Sequence, residues 1–142
     1  MNVYADASVL VAAFAPEKSR DTAVDWLTGL QPGELHASKW CETEVASALA
    51  LKVRTRELGA ERRELLFMTI TDMLRRRAAF IAIESSHFDH ATDYLRRSSR
   101  PLRGGDALHL AVAHSRGATV WTLDGRMAEA GQALGLDTRL LA

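Results

Sequence analysis

Three aspartates and one glutamate have positions that could bring oxygen ligands together. Asp6 follows the apolar run at 3–5, and Asp124 follows the apolar run at 118–123. Both runs predict β-strands, and the carboxyl ends of parallel strands meet at one edge of a sheet. Aspartate is also a common turn and capping residue, so one such position would carry little weight. Two in equivalent places predict carboxylates that project from the same edge.

Glu44 lies in a predicted helix at 40–56 and shares its face with Trp40 and Ala48. A carboxylate on a largely apolar helix face is costly to bury without a partner. Two partners fit this position equally well, an arginine from a neighbouring helix or a metal ion. Glu42, two residues earlier, is interpreted as a solvated side chain.

Asp106 follows two glycines, Gly104 and Gly105, and opens a predicted helix that ends near residue 115. A single aspartate at a helix start is commonly explained by its favourable interaction with the helix dipole. The glycines, predicted to lie in a loop, would also let a substrate backbone approach closely. His109, one turn beyond Asp106, and Cys41 are interpreted as packing residues.

Ser8 and Thr122 each lie two residues from a strand-end aspartate. Either hydroxyl could orient a carboxylate or a water molecule at a metal site. The alternative for Ser8 is a capping role for a helix at 9–14, and the alternative for Thr122 is an ordinary strand position. Both are therefore candidate supporting residues.

Strand-like and helix-like segments alternate along the chain. Strands are predicted at 3–5, 34–37, 80–83, 118–123 and 138–141, and helices at 9–14, 19–30, 40–56, 60–77, 87–97, 106–115 and from Asp124 to Leu134. This alternation predicts an α/β fold with a central parallel sheet flanked by helices on both faces. Because no linker, repeat or low-complexity segment interrupts the pattern, residues 1–142 are expected to form one domain.

The composition is that of an ordinary globular domain. Hydrophobic residues make up 47% of the 142 residues, and 18 basic residues balance 18 acidic ones. A nucleic-acid coat protein would be more basic, whereas a nuclease that gathers acids around a metal need not be. No apolar run approaches the roughly 18 residues of a membrane helix, and the first residues do not resemble a signal peptide. The single cysteine cannot form an internal disulfide, so a reducing cytoplasm is expected.

Four short segments together carry a family resemblance, and they occur in the usual order and at the usual separations. They are Tyr4-Ala5-Asp6-Ala7-Ser8-Val9-Leu10, Glu44-Val45-Ala46-Ser47-Ala48-Leu49, Gly105-Asp106-Ala107-Leu108-His109-Leu110-Ala111 and Thr122-Leu123-Asp124. Through them nearly the whole chain resembles a PIN domain of the VapC type, the toxin subunit of a toxin–antitoxin (VapBC) pair. The segment that follows Glu44 favours this residue over Glu42 as the second acid.

The resemblance implies an endoribonuclease that uses Mg²⁺, or alternatively Mn²⁺, to cleave RNA. The catalytic and metal-binding acids that it implies are Asp6, Glu44, Asp106 and Asp124, assisted by Ser8 or Thr122. It also implies a homodimer, and a VapB-type antitoxin that joins the toxin in a hetero-oligomer and blocks the site. Many members have one further acid or asparagine shortly after the fourth acid. Here no fifth position is assigned, and Glu129 is interpreted as helix surface.

The implied chemistry follows from charge repulsion. Four carboxylates in one pocket repel one another, and a hard divalent cation relieves that repulsion. We expect Asp6, Asp106 and Asp124 to hold the ion. Glu44 would bind a second ion or orient the water that, activated by the metal, attacks the phosphodiester bond.

Clustered arginines suit phosphate because their guanidinium groups are planar and always charged. Arg100 and Arg103 lie just before Asp106 and are predicted to hold the RNA backbone, although the family segments do not include them. The cluster at 75–77 is interpreted instead as a solvated helix face.

Two other functions compete with a nuclease. An aspartyl phosphoryl-transfer enzyme would use Asp6 as its nucleophile, but such sites usually need a lysine near the later strands. The only lysines are Lys18, Lys39 and Lys52, which counts against this class. A PIN-like module that binds RNA or protein without catalysis is the other alternative. The presence of all four acids favours the enzyme.

Overall fold

A computed structural model describes all residues from 1 to 142, in which strands and helices alternate. The strands are β1 (Val3–Ala5), β2 (Leu35–Ala37), β3 (Ala79–Phe80), β4 (Thr119–Thr122) and β5 (Thr138–Leu140). The helices are α1 (Ala7–Phe14), α2 (Arg20–Thr28), α3 (Lys39–Arg54), α4 (Ala60–Arg77), α5 (Ser85–Arg97), α6 (Gly104–His114) and α7 (Gly125–Ala133). None of the helices has the length and hydrophobicity that a membrane span requires.

The five strands form one parallel sheet in the order β3-β2-β1-β4-β5. The central strand, β1, has Val3, Tyr4 and Ala5 all at most 4% exposed. Successive side chains of a strand point to opposite faces, so burial of all three means that both faces of the sheet are covered. The predicted α/β fold, with a parallel sheet between helices, is confirmed.

The direction in which the chain adds strands changes at β1. β2 and β3 extend the sheet on one side of β1, whereas β4 and β5 extend it on the other side. In open parallel sheets, such a switch point leaves a crevice beyond the carboxyl ends of the two adjoining strands, where ligands bind. Asp6 directly follows β1 and Asp124 lies just beyond β4, so this topology places both residues at the crevice.

Several predicted boundaries are wrong by two residues or more, including those of β3 and α6. β3 covers Ala79–Phe80 instead of 80–83, because only these two residues pair with β2 at the edge of the sheet. α6 begins at Gly104, so both glycines belong to its first turn and not to a loop. The earlier start places Asp106 within the first turn of α6, at the third helical position.

Glu42 is buried, and its interpretation as a solvated side chain is wrong. The packing of α4 against α3 brings Arg75 to Glu42, with 3.1 Å between Nη2 and Oε2. Lys39 Nζ lies 3.4 Å from the other carboxylate oxygen. Two cations therefore stabilise the charge of Glu42, whose burial would otherwise be unfavourable. These two ion pairs explain why Glu42 is buried without a functional role.

Candidate active site

Asp6 is held at the end of β1 by amide and hydroxyl groups. Its Oδ1 accepts hydrogen bonds from the backbone N–H groups of Ser8 at 3.0 Å and Val9 at 3.4 Å, so Asp6 and not Ser8 caps α1. The Ser8 hydroxyl also donates to Oδ1, and the Thr122 hydroxyl donates to Oδ2 at 2.8 Å. Asp6 is only 6% exposed, and burial raises the pKa of its carboxyl although the hydroxyl hydrogen bonds oppose that rise.

The hydroxyls of Ser8 and Thr122 also tie Asp6 to the end of β4. Ser8 Oγ accepts a hydrogen bond from Leu123 N at 3.0 Å, and Thr122 Oγ1 accepts one from Asp124 N at 3.0 Å. Each hydroxyl therefore donates to the carboxylate and accepts from the backbone, which uses both capacities of the group. The structure brings both candidate supporting residues into direct contact with Asp6.

Asp106 resists ionisation, although it lies at a helix start where a negative charge is favoured. Burial raises the pKa of its carboxyl to about 6, and the negative charges of Asp6 and Asp124 add to the rise. The charges of Arg103 and His109 oppose it. The helix dipole is therefore not enough to explain Asp106. Its carboxylate repels its acidic neighbours, and a cation in the crevice would relieve that repulsion.

Asp124 is less buried than Asp6. It caps α7 through Oδ1, which accepts a hydrogen bond from Arg126 N at 2.9 Å. Its other oxygen, Oδ2, lies 4.0 Å from Arg103 Nη2, and the side chain is 32% exposed. One carboxylate oxygen is thus engaged in the helix cap while the other faces an exposed arginine.

Glu44 reaches towards α6 from α3. Its Oε1 lies 3.4 Å from His109 Nε2, so its protein partner is a histidine and not an arginine of a neighbouring helix. The interaction with His109 lowers the pKa of the Glu44 carboxyl. Partial burial opposes this effect, and the positive charge of Arg103 reinforces it. Glu44 is therefore held in its ionised form.

Gly105 makes room for Glu44. A Cβ atom at this position would lie 3.0 Å from Glu44 Oε1 and 3.1 Å from Trp40 Cζ2. Trp40 also donates a hydrogen bond from Nε1 to the Gly105 carbonyl at 3.0 Å. Gly104 has no neighbour within 4 Å of the corresponding point. The space left by the absent side chain of Gly105 is occupied by Glu44 and Trp40. From the sequence, a substrate backbone was expected there.

His109 is a core residue that also contacts the candidate site. It is 1% exposed, and its Nδ1 lies 2.6 Å from the Tyr4 hydroxyl. Burial lowers the pKa of His109, but its contacts with Cys41 and Glu44 and the charge of Asp6 raise it overall to about 10. Its interpretation as a packing residue alone is therefore incomplete. The signal available in the sequence was a single histidine within the otherwise apolar run from 107 to 113.

A cleft of about 300 Å³ opens over two of the acids. Its lining comprises Pro101, Leu102, Arg103, Asp106, Asp124, Arg126 and Met127. Arg103 and Arg126 are both exposed, so the cleft combines two carboxylates with two guanidinium groups. Arg126 was not identified from the sequence, although it follows a strand-end acid by two residues. Arg100 does not line the cleft, and its Nη1 contacts Glu129 at 3.3 Å.

The acids lie at the crevice, but their carboxylates do not converge on a single point. No three side chains of histidine, cysteine, aspartate or glutamate converge closely enough to enclose an ion. Mg²⁺ and Mn²⁺ bind carboxylate oxygens, and Mg²⁺ usually keeps several waters, so one or two protein ligands can suffice. The residues present fit such an ion, because a divalent cation would offset both the burial and the repulsion from Asp6 and Asp124 that raise the pKa of Asp106.

We expect Asp106→Asn to raise the melting temperature of the metal-free protein near neutral pH. The pKa of Asp106 is about 6 in the folded protein, against 3.8 for an ordinary aspartate, so the folded state is destabilised when this carboxyl ionises. Asparagine avoids that cost. We expect it to raise the free energy of unfolding by about 1 kcal/mol, a value that allows for solvent screening at this partly open site. At a pH below both values the carboxyl is neutral in both states, and the gain should vanish.

Thermal unfolding is monitored by circular dichroism in EDTA, from a pH below both pKa values to neutral pH. Asp89→Asn is the matched control, because Asp89 is exposed on α5 and does not line the cleft over Asp106 and Asp124. A stability gain for Asp106→Asn that does not change with pH would contradict the electrostatic explanation.

Comparison with known families identifies this domain. The model of a family described as "PIN domain" matches residues 3–133, a range that includes all four acids. A comparison with curated proteins finds no match.

Several solved structures have a similar fold. VapC20 of Mycobacterium tuberculosis, described as a sarcin–ricin loop cleaving toxin, is 18% identical with a TM-score of 0.73, over 92% of this chain and 95% of that one. FitAcB from Neisseria gonorrhoeae is 18% identical with a TM-score of 0.69, over 99% and 96% of the two chains. VapBC2 from Rickettsia felis, bound to a promoter DNA fragment, is 14% identical with a TM-score of 0.69, over 100% of both chains.

At these identities the structural likeness shows the fold alone. The family model adds a match along the sequence, from the first strand to the last helix. The chain therefore belongs to the PIN-domain family.

Proposed function

We propose that this protein is a divalent-metal-dependent endoribonuclease of the VapC type, the toxin of a toxin–antitoxin pair. The observation that carries the proposal is the gathering of Asp6, Asp106 and Asp124 at the switch point of the sheet, where burial, together with the charges of Asp6 and Asp124, raises the pKa of Asp106. Membership of the PIN-domain family supports it. So does the similarity in fold to VapC20, which is described as cleaving the sarcin–ricin loop.

In this proposal, Asp6, Asp106 and Asp124 hold Mg²⁺ or Mn²⁺. When bound, the cation would neutralise charge on the scissile phosphate and activate the attacking water. Asp6 is the most firmly oriented of the three, because donors from Ser8 and Thr122 fix both of its oxygens.

Glu44 completes the acidic site from the side of α3. Its lowered pKa keeps it ionised, so its oxygens can accept hydrogen bonds from water or bind a second ion. A carboxylate in this role would orient the attacking water towards the phosphorus.

The arginines of the cleft would bind the RNA backbone. Arg103 and Arg126 line the same cleft as Asp106 and Asp124. Guanidinium groups at the rim would hold the phosphates that flank the scissile bond, while the acids below act on the bond itself. Arg100 is engaged by Glu129 outside this lining and has a smaller role.

The proposal also includes the protein's partners and location. The protein would form a homodimer, bind a VapB-type antitoxin in a hetero-oligomer, and act in the cytoplasm, where its RNA substrate is found. Exposed apolar side chains on two helices support protein interfaces: Leu65 and Met68 on α4, and Phe88 and Leu95 on α5. The solved structures of similar fold include a member of the VapBC family of toxin–antitoxin systems, which supports this class of partner.

Aspartyl phosphoryl transfer is disfavoured by where the lysines lie. Lys39 contacts Glu42, and Lys52 contacts Glu17 at 2.7 Å. None of the three lysines, Lys18 included, takes part in a salt bridge with the acids of the crevice. The lysine that such an enzyme would place beside its phosphoryl group is therefore missing.

The native protein is expected to cleave total cellular RNA with Mg²⁺ or Mn²⁺, and to be inactive in EDTA. Asp6→Ala and Asp106→Ala should each lower the rate by about 100-fold or more, because each removes a ligand of the ion. Products should carry a 5′-phosphate and a 3′-hydroxyl. Asp89→Ala is the matched control and should cleave like the native protein.

Equal cleavage by the native protein and both site variants would indicate a contaminating nuclease and overturn the assignment. No cleavage, together with no binding of Mn²⁺ in a titration, would favour a binding module instead.

Gly105→Ala is expected to lower RNA cleavage on the order of tenfold, because a Cβ at this position displaces the Glu44 carboxylate. Gly104→Ala is the matched control: it adds the same atom to the same helical turn, where nothing lies within 4 Å. Rates are compared at saturating Mg²⁺, with circular dichroism as the check on folding. Equal rates for the two variants would argue against a role for Glu44 in cleavage.

Arg103→Gln should weaken RNA binding for all sequences and reduce the slope of log affinity against log salt concentration by about one. Arg100→Gln should have a smaller effect, because Arg100 is paired with Glu129 outside the cleft. Fluorescence anisotropy with labelled RNA in EDTA measures binding without cleavage. An unchanged salt slope for Arg103→Gln would remove Arg103 from the RNA-binding surface.

A further inference from the structure

A buried chain of polar side chains leads from the central strand to the acidic site. Tyr4, Ser38, Cys41 and His109 are each at most 1% exposed. The Tyr4 hydroxyl lies 2.8 Å from Ser38 Oγ, 3.2 Å from Cys41 Sγ and 2.6 Å from His109 Nδ1. Polar groups in a core are unfavourable unless they are paired, and paired networks hold their members in fixed geometry. These contacts fix the plane and position of the His109 ring.

The other ring nitrogen of His109 is the end of this chain. Nε2 is buried, and it makes no hydrogen bond of good geometry within the protein. Glu44 Oε1 lies 3.4 Å from it, slightly too far for a strong hydrogen bond. A buried donor without an acceptor is unfavourable, so a small movement of the Glu44 side chain that completes this bond is favoured. Glu44 has room to move, because its side chain is 29% exposed.

Nε2 carries a hydrogen atom whether the ring is neutral or protonated. In a neutral ring whose Nδ1 accepts from the Tyr4 hydroxyl, the ring hydrogen is on Nε2. In a protonated ring both nitrogens are donors. The remaining neutral form would direct the lone pair of Nε2 at a carboxylate oxygen, which is unfavourable. A donor therefore faces Glu44 in either charge state.

We propose that His109, oriented by Tyr4, is a positioning residue that sets the Glu44 carboxylate through an Nε2–H donor. The same oxygen, Oε1, lies 3.0 Å from the point where a Cβ of Gly105 would be, so the absence of that side chain leaves space for the carboxylate beside the histidine ring. This arrangement would leave Oε2 to serve the site. The role of Glu44 at the metal rests on the proposed function, whereas the contact between His109 and Glu44 does not.

The first test compares Mn²⁺ affinity, by electron paramagnetic resonance without RNA, in His109→Leu and His109→Gln. Leucine removes the donor, and the affinity should fall about tenfold, as when other residues that orient ligands are removed. Glutamine places an amide N–H near the position of Nε2 and should retain affinity within about threefold. In a Glu44→Gln background, His109→Leu should cause no further loss, because the two residues act through one contact.

Equal losses for leucine and glutamine, or no loss for leucine, would overturn the proposal. Because His109→Leu could also fail to fold, a second measurement uses the intact ring. The nitrogen resonance of Nε2 in protein with isotope-labelled histidine should shift on Glu44→Gln. It should not shift on Glu42→Gln, which lies on the same helix but contacts Arg75.

An unchanged Nε2 resonance in Glu44→Gln would overturn the positioning role whatever the RNA assay shows. A shifted resonance in a protein that neither cleaves RNA nor binds Mn²⁺ would support the contact and reject the proposed function. The two failures are therefore distinguishable.

Discussion

Asp6 brings a carboxylate into the interior at the junction of β1 and β4, where its charge would be unfavourable without hydrogen-bond donors. The start of α1 supplies backbone donors, and the hydroxyls of Ser8 and Thr122 supply the others. Because those hydroxyls also accept hydrogen bonds from Leu123 and Asp124, the bonds that stabilise Asp6 also determine the path of the chain beyond β4. The crevice at the switch point of the sheet is held in shape by this junction.

The pKa values of the acids around that junction are shifted in different directions. Burial raises the pKa values of Asp6 and Asp106, whereas His109 lowers the pKa of Glu44. A fold selected for stability alone would separate like charges or pair each with a base, as it does for Glu42. Local arrangements that oppose stability are characteristic of functional sites. The repulsion retained here is what a divalent cation would offset, and Arg103 offsets only part of it.

Glu42 and Glu44 lie two residues apart on α3 and meet different environments. Glu42 faces α4, where Arg75 binds it, while Glu44 faces α6 and His109. The Glu44 carboxylate occupies space that Gly105 leaves free, since a Cβ there would lie 3.0 Å from its Oε1. Helix packing thus separates a structural acid from a candidate functional one, although the two share one helix and one residue type.

The sequence by itself determined the alternation of strands and helices, and with it the parallel sheet and the common edge of Asp6 and Asp124. These features depend on local periodicity and on the order of elements, which a linear pattern records. Only the tertiary structure decided which side chains meet: Glu44 with His109, and Arg126 rather than Arg100 at the cleft. Such contacts join segments far apart in the chain. Their distances follow from how helices pack on the sheet, which residue spacing does not specify.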